Sequence, residues 1–262
     1  MEPFRFRAGT TPLLVSMPHR GTWLPEALAR RMTPAALALP DTDWHLERLY
    51  DFLDEIGASV LEATHSRYVI DLNRPPDDAS LYPGRSTTGL VPIDTFAGEP
   101  VYRPGETPQE SETAERIERC WKPYHDRLAQ ALAELHARHG VALLWDAHSI
   151  RSVVPRFFEG RLPDLNLGTA DGRSCDPALA ARLAAVAGAA AGYSSVLDGR
   201  FKGGYITRRY GRPQEGVHAV QLELALCAYM DDDPPFAFRE PLAARLRPHL
   251  RAMLEAMLGF AR

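Results

Sequence analysis

The sequence predicts an α/β fold. It reads as a single three-layer domain spanning residues 1-262, with a mixed, largely parallel sheet covered by helices on both sides. Three observations lead there. Short apolar runs alternate with segments of helical period along the whole chain. No internal repeat and no clear linker divides its 262 residues, a length that suits one large domain. Several apolar runs end abruptly in polar side chains, as strands do where a sheet of this kind collects its ligands.

The elements follow in order. "TPLLVSMPH" reads as a short buried strand ending at Pro18 and His19. "DTDWHLERLYDFLDEIG" reads as a helix: Leu46, Leu49, Leu53 and Ile56 recur at helical spacing, Asp41 or Thr42 caps the start, and Gly57 fits the end. "ASVLEAT" and "RYVIDLNRPP" read as strands, the second stopped by Pro75 and Pro76. The stretch from Asp77 to Thr107 is rich in Pro, Gly, Ser and Thr. It is too long for an ordinary connection, and such loops are often functional. A helical region from Pro108 to His139 follows, bent near Pro123 and ended by Gly140. "VALLWDAHSI" is the next strand, and "EGRLPDLNLGTADGRSC" reads as a loop. Asp176 and Pro177 then make an N-cap and first residue for the Ala-rich helix that runs to Ala191. "YSSVLDGRFKGGYITRRYG" reads as strands joined by a Gly-containing turn, and "HAVQLELALCAYM" as a strand that passes into a helix. Glu240 to Ala261 closes the chain as a helix, with Leu242, Leu246, Leu250 and Leu254 near one face.

Composition bounds the function. A net charge of -4 at pH 7 offers no basic footprint for nucleic acid. No run is apolar enough for long enough to span a membrane, and the N-terminus lacks a signal-like apolar core. The three cysteines are widely spaced and form no CxxC pair, which points to a reducing compartment. The expectation is a cytoplasmic protein that acts on a small molecule. There is no G-x-S-x-G, no H-E-x-x-H, no G-x-G-x-x-G and no P-loop.

The polar strand ends carry the chemistry. His19 follows the first apolar run, Asn73 and Arg74 follow "YVIDL", Asp146 and His148 follow "VALLW", and Gln221 and Glu223 share one face of "AVQLEL" if it is a strand. A buried strand gains most from Val, Ile and Leu, and an unpaired polar group there costs roughly 1–3 kcal/mol. Two histidines and a carboxylate form a common catalytic zinc set that leaves a fourth position for water. His19 and His148 are the histidine candidates. The plain alternative for each is a hydrogen-bonded histidine packed near the core. Asp43 is the first carboxylate candidate and Glu47 the second. Asp43 falls nearer the edge of the leucine stripe, although it could simply favour the helix dipole. His45 is a weaker candidate, and His136 and His139 fit a solvated helix end. Glu223 could be a general base, and Asp146 could hold His148 from behind. Arginine, the carboxylate reader, clusters near the loops as Arg67, Arg74, Arg85, Arg151, Arg208 and Arg209. Arg67 and Arg74 flank an expected strand.

Taken together and in order, "VSMPHRGTWLPEAL", "LPDTDWHLERLYDF", "HSRYVIDLNRPPDDASLYPG", "LLWDAHSIRS", "LPDLNLGTADGRSC" and "FKGGYITRRYG…GVHAVQLELALCAYM" resemble the N-formylglutamate deformylase (N-formylglutamate amidohydrolase) family. The resemblance implies hydrolysis of N-formyl-L-glutamate to formate and L-glutamate, a step of histidine degradation. It also implies a fold similar to zinc carboxypeptidases and aspartoacylase-like hydrolases. By motif position, His19 and His148 look like ligands of one divalent metal ion, zinc being the expected one, and Glu223 looks like the base. Those distant relatives take two ligands from a tight His-x-x-Glu, whereas here His19 is followed by Arg20, Gly21 and Thr22. The third ligand must then come from "DTDWHLE", as Asp43 or Glu47. Arg67, Asn73, Arg74 and Arg208 are the expected holders of the substrate carboxylates. A deacylase for another N-acyl amino acid, or a non-enzymatic binder of small dicarboxylates, are the alternatives.

Overall fold

The computed structural model describes residues 1–81, 84 and 86–261. Among these, seven strands form one mixed sheet in the order β1-β3-β2-β4-β7-β5-β6. They are β1 (Phe4–Arg7), β2 (Leu13–Met17), β3 (Ser59–Ala63), β4 (Ala142–Ile150), β5 (Leu165–Gly168), β6 (Ser195–Leu197) and β7 (Val217–Ala225). β3, β2, β4 and β7 run parallel, so their carboxyl ends open on one edge. β1 and β5 join antiparallel to their neighbours β3 and β7, while β6 runs parallel to β5. The helices are α1 (Glu26–Ala29), α2 (Pro34–Leu37), α3 (Leu46–Leu49), α4 (Glu110–Arg116), α5 (Lys122–His139), α6 (Pro177–Gly188), α7 (Tyr205–Tyr210) and α8 (Glu240–Phe260).

The pleat assigns the two faces. Leu143, Trp145 and Ala147 of β4 join the core under α6 and α8, while Ala142 and Leu144 join the core under α5. Asp146 and His148 continue the second set by the two-residue period, so they lie on the α5 face. The expected three layers are therefore present. No helix among the described residues is long and apolar enough to cross a membrane.

Several local expectations are corrected. The helix expected over 41–57 shrinks to Leu46–Leu49. His45 sits before it in the left-handed region at φ 62°, and the N–H of Asp43 bonds to His19 O at 3.1 Å instead of entering a helix. The apolar stripe is still buried, because turns can deliver Leu53 and Ile56 to the core as well as a helix can. "RYVIDLN" is not a strand. Its backbone turns on itself and bonds to the long loop through Asp71 N and Leu90 O at 2.7 Å, while Val69, Ile70 and Leu72 cover the sheet. A buried apolar run does not by periodicity reveal which structure it adopts. The expected loop at 159–175 contains β5, a strand too short to announce itself between Pro163 and Gly168. "YITRRY" is helix α7, not a strand; Asn73 Oδ1 accepts the N–H of Ile206 at 2.8 Å in its first turn.

Other expectations hold. Asp176 accepts from Ala178 N as an N-cap, with Pro177 first in α6. Gly140 closes α5 at φ 74°, a conformation that favours glycine. Just before Pro123, which sits in the first turn of α5, the helical region passes through a wide π-turn over Ile117–Trp121, between α4 and α5. Trp121 at its end donates from Nε1 to Arg74 O at 2.9 Å. His125, one turn on, bonds Leu72 O through Nε2 at 2.9 Å. The irregular turn thus anchors the segment that carries Asn73 and Arg74.

Candidate active site

The parallel strands deliver their polar ends to one place. His19 lies two residues past β2, and His148 and Glu223 stand opposite each other in the β4–β7 register. His19, Asp43 and His148 bring one ligand atom each to within 4.8 Å of one another, and all three are buried. Asp43 Oδ2 lies 3.1 Å from His148 Nδ1 and 3.7 Å from His19 Nδ1. The backbone bond between Asp43 and His19 fixes this meeting. Tyr229 supports it from below by donating to Trp44 O at 2.7 Å and meeting Ser149 Oγ at 2.9 Å. Ser149 therefore serves the scaffold of this corner. Glu47 points elsewhere, to Arg20 at 3.3 Å. His45 bonds Phe236 O, and His136 and His139 lie in the last turn of α5.

Each ring is held from behind by a carboxylate. His19 Nε2 donates to Asp71 Oδ1 at 2.7 Å, and His148 Nε2 lies 3.1 Å from Asp146 Oδ2. These contacts fix the rings so that both Nδ1 atoms face Asp43, the arrangement seen behind metal-ligating histidines in general. Asp146 is itself bonded by Ser16 and Thr207, each at 3.3 Å. Asp71 was not singled out in the sequence, where it sits inside an apolar run. In the structure it is fully buried and binds His19, the N–H of Asn73 at 2.8 Å and Arg67 Nη2 at 2.6 Å. A carboxylate so placed without partners would cost several kcal/mol.

The electrostatics follow from these partners. Burial lowers the pKa of His19, aided by Arg67 and opposed by Asp71 and Asp43. Burial also opposes charge on His148, but Asp146 and Asp43 outweigh it and its pKa rises well above the usual value. Asp71 is held well below the carboxylate range: burial pushes it up, and His19, Arg67 and Arg74 pull it further down. Burial pushes Glu223 up to about 8, with His148 opposing.

A cleft opens above these groups, lined among others by Arg67, Asn73, Arg74, Arg200, Gln221 and Glu223. Gln221 Nε2 donates to Glu223 Oε2 at 3.2 Å and its Oε1 accepts Gly204 N at 2.7 Å, which ties the glutamate to the loop before α7. Gly204 is required there, because a Cβ would collide with the Asn73 amide. Asn73 Nδ2 lies 3.0 Å from His148 Nε2. Arg67 is buried, with Nη1 on Asp41 O and Nη2 on Asp71. Its Nε is buried with no hydrogen-bond partner. Arg74 donates to Thr88 O at 2.8 Å, so it also fastens the long loop. Arg208, expected in this group, is not among the lining residues; its Nε donates to Gly203 O at 2.9 Å. Arg151 pairs with Asp233, Arg209 stands beside the Tyr210 ring, and Arg85 lies outside the described residues. Arg200 was missed, because "DGRFKGG" looked like a plain turn between strands.

Comparison with known proteins gives a consistent picture. The sequence profile of N-formylglutamate amidohydrolase matches residues 11–230. A protein named N-formylglutamate deformylase from Pseudomonas aeruginosa is 57% identical over 261 residues, covering 100% of this chain and 98% of the relative. One of the same name from Pseudomonas putida is 52% identical over 255 residues, covering 97% and 95%. The crystal structure of N-formylglutamate amidohydrolase from Ralstonia eutropha JMP134 superposes with a TM-score of 0.81 at 25% identity, covering 100% of this chain and 97% of the other. A gene product of Agrobacterium tumefaciens shares the fold at a TM-score of 0.73 and 20% identity, with the same coverage. With the profile match spanning most of its length and two full-length relatives above half identity, this chain belongs to the N-formylglutamate amidohydrolase family.

Proposed function

We propose that this protein hydrolyses N-formyl-L-glutamate to formate and L-glutamate, with His19, Asp43 and His148 holding one divalent cation. The observation that carries this reading is the buried meeting of two imidazoles and a carboxylate within 4.8 Å, beside Glu223. The two full-length relatives named deformylase supply the substrate. The donor set fits such an ion: two ring nitrogens and a carboxylate oxygen are a zinc set with one position open. When bound, the cation supplies a Lewis acid that polarises a carbonyl and lowers the pKa of water.

The chain's own groups do the rest. Asp71 and Asp146 keep both Nδ1 atoms aimed at Asp43. Glu223 takes the proton that the attacking water loses, and returns it to the amine nitrogen as the C–N bond breaks. Gln221 holds one oxygen of that carboxylate in place. Arg67 and Arg74, with Asn73 as a neutral donor, bind substrate oxygens. The unpaired Nε of Arg67 is one such donor.

Purified protein charged with zinc should release formate from N-formylglutamate. Treatment with a chelator should abolish that release, and zinc should restore it. Full-rate release from metal-stripped protein would remove the cation from the reading.

Two ligand predictions follow from the geometry. His19→Ala and His148→Ala should each stay folded by circular dichroism yet carry far less than one zinc per chain. Either variant keeping full zinc and full turnover would exclude that histidine as a ligand. Asp43→Asn should weaken zinc by at least roughly the 10–100-fold typical of losing a supporting partner, whereas Glu47→Gln should hardly change it. A competitive chelator titration giving the reverse order would transfer the ligand role to Glu47.

A further inference from the structure

The outer part of the cleft is built differently from its floor. Phe96, Ile150, Val154 and Leu162 form a small core apart from the two main ones, with Phe157, Phe158 and Phe201 packed against it. Three loops meet there: the long one after Arg74, the one after β4, and the one between β6 and α7. Arg200 joins all three. Its Nε donates to Phe157 O at 2.6 Å and its Nη2 to Ser86 O at 3.3 Å. Its guanidinium lies 5.8 Å from the Phe157 ring centre and 5.2 Å from that of Phe201. Two carbonyls and two aromatic rings thus orient a cation that lines the cleft.

Position along the cleft separates the arginines. Asn73 stands 3.0 Å from His148, so Asn73 and its neighbour Arg74 mark the inner end. Arg67 belongs to the same end, through Asp71 and His19. Arg200 is bonded to the outer loops instead. N-formylglutamate has a matching asymmetry. Its α-carboxylate sits on the carbon that bears the amide nitrogen. Its γ-carboxylate lies two methylenes further out. With the formyl group at the histidines, the α-carboxylate reaches the inner donors and the γ-carboxylate reaches the outer ones.

We infer that Arg200 binds the γ-carboxylate of the substrate and thereby sets the preference for glutamate, an inference that rests on the deformylase reading above. The Phe157 and Phe201 rings flank the site and suit the two methylenes. Their centres lie 5.8 and 5.2 Å from the guanidinium, so the rings add a cation–π contact beside any charge pair formed there.

N-formylglutamine is the discriminating probe, because it differs from N-formylglutamate only in replacing the γ-carboxylate by a neutral amide. Zinc-loaded wild type, Arg200→Gln, Arg200→Lys and Arg74→Gln are to be compared on both substrates by formate release, with KM and kcat separated. Wild type should favour N-formylglutamate strongly. Arg200→Gln should raise KM for N-formylglutamate by about 100-fold or more with a smaller change in kcat, and should bring the glutamate-to-glutamine ratio near one. Arg200→Lys should restore part of the ratio, because it keeps the charge but loses the fork. Arg74→Gln should depress both substrates together and keep the ratio. Calorimetric binding of the products L-glutamate and L-glutamine to the same variants reads the preference even in a variant too slow to assay. A wild-type ratio retained in Arg200→Gln, or a ratio lost in Arg74→Gln instead, overturns the assignment while leaving the deformylase reading intact. A zinc-loaded wild type that releases no formate from N-formylglutamate overturns both.

Discussion

Glu223→Gln should keep the fold and its zinc while formate release falls by roughly 10²–10⁴-fold, the range for loss of a general base. The expectation rests on where β7 puts this side chain. Glu223 is 8% exposed and faces the cleft from a central strand, paired in register with His148. A glutamate has little reason to be in such a place for stability alone. Burial already pushes its pKa up to about 8, with His148 opposing that shift. Glutamine keeps the shape and the partner Gln221, and it leaves no buried ionisable group, so stability should not fall. Zinc content equal to wild type is the control that separates lost chemistry from a lost ion. Wild-type turnover in a zinc-replete Glu223→Gln preparation would end the base assignment.

What the sequence reveals, and what it hides, has a physical basis. The polar residues at strand ends were legible because the pleat is strict. Once β4 and β7 are strands, Asp146 and His148 must share a face, and so must Gln221 and Glu223. His19 was legible for the same reason, as the polar stop after β2. Asp43 was reached by a different route from the one the chain takes. Helical spacing favoured it over Glu47, yet it lies in an extended turn before α3 and is placed by a backbone bond to His19. Asp71 and Arg200 were hidden because each sits in a segment whose local pattern suggests something simpler. "YVIDLN" has strand composition, but its hydrogen bonds go to local turns and to the long loop. "DGRFKGG" looks like a turn, and only the packing of three loops makes Arg200 part of the cleft. Arg208 was favoured by its place after "GGYIT". It lies in helix α7, and the arginines that line the cleft are Arg67, Arg74 and Arg200.

N-formylglutamate should exceed N-formylmethionine in kcat/KM by up to roughly 10⁴-fold, with N-formylaspartate between them. Among the described residues lining the cleft, three arginines stand against one glutamate. Arg67 is paired with Asp71, which leaves Arg74 and Arg200, bonded to backbone carbonyls, to match a substrate with two carboxylates and mismatch one with a single carboxylate and an apolar side chain. Methionine would bring a thioether to the Arg200 guanidinium beside Phe157 and Phe201. The thioether cannot replace the charge-assisted bonds a carboxylate would make there, and such unmade bonds are what let a polar site reject an apolar analogue far better than an apolar pocket rejects a missing methylene. Aspartate keeps both charges but is one methylene short, so its outer carboxylate meets the donors at a stretched distance. A full-rate reaction with N-formylmethionine in zinc-loaded enzyme would contradict this charge match. The chemistry of the buried centre would then stand without the dicarboxylate cleft, and the protein would be a deacylase of broader N-acyl range.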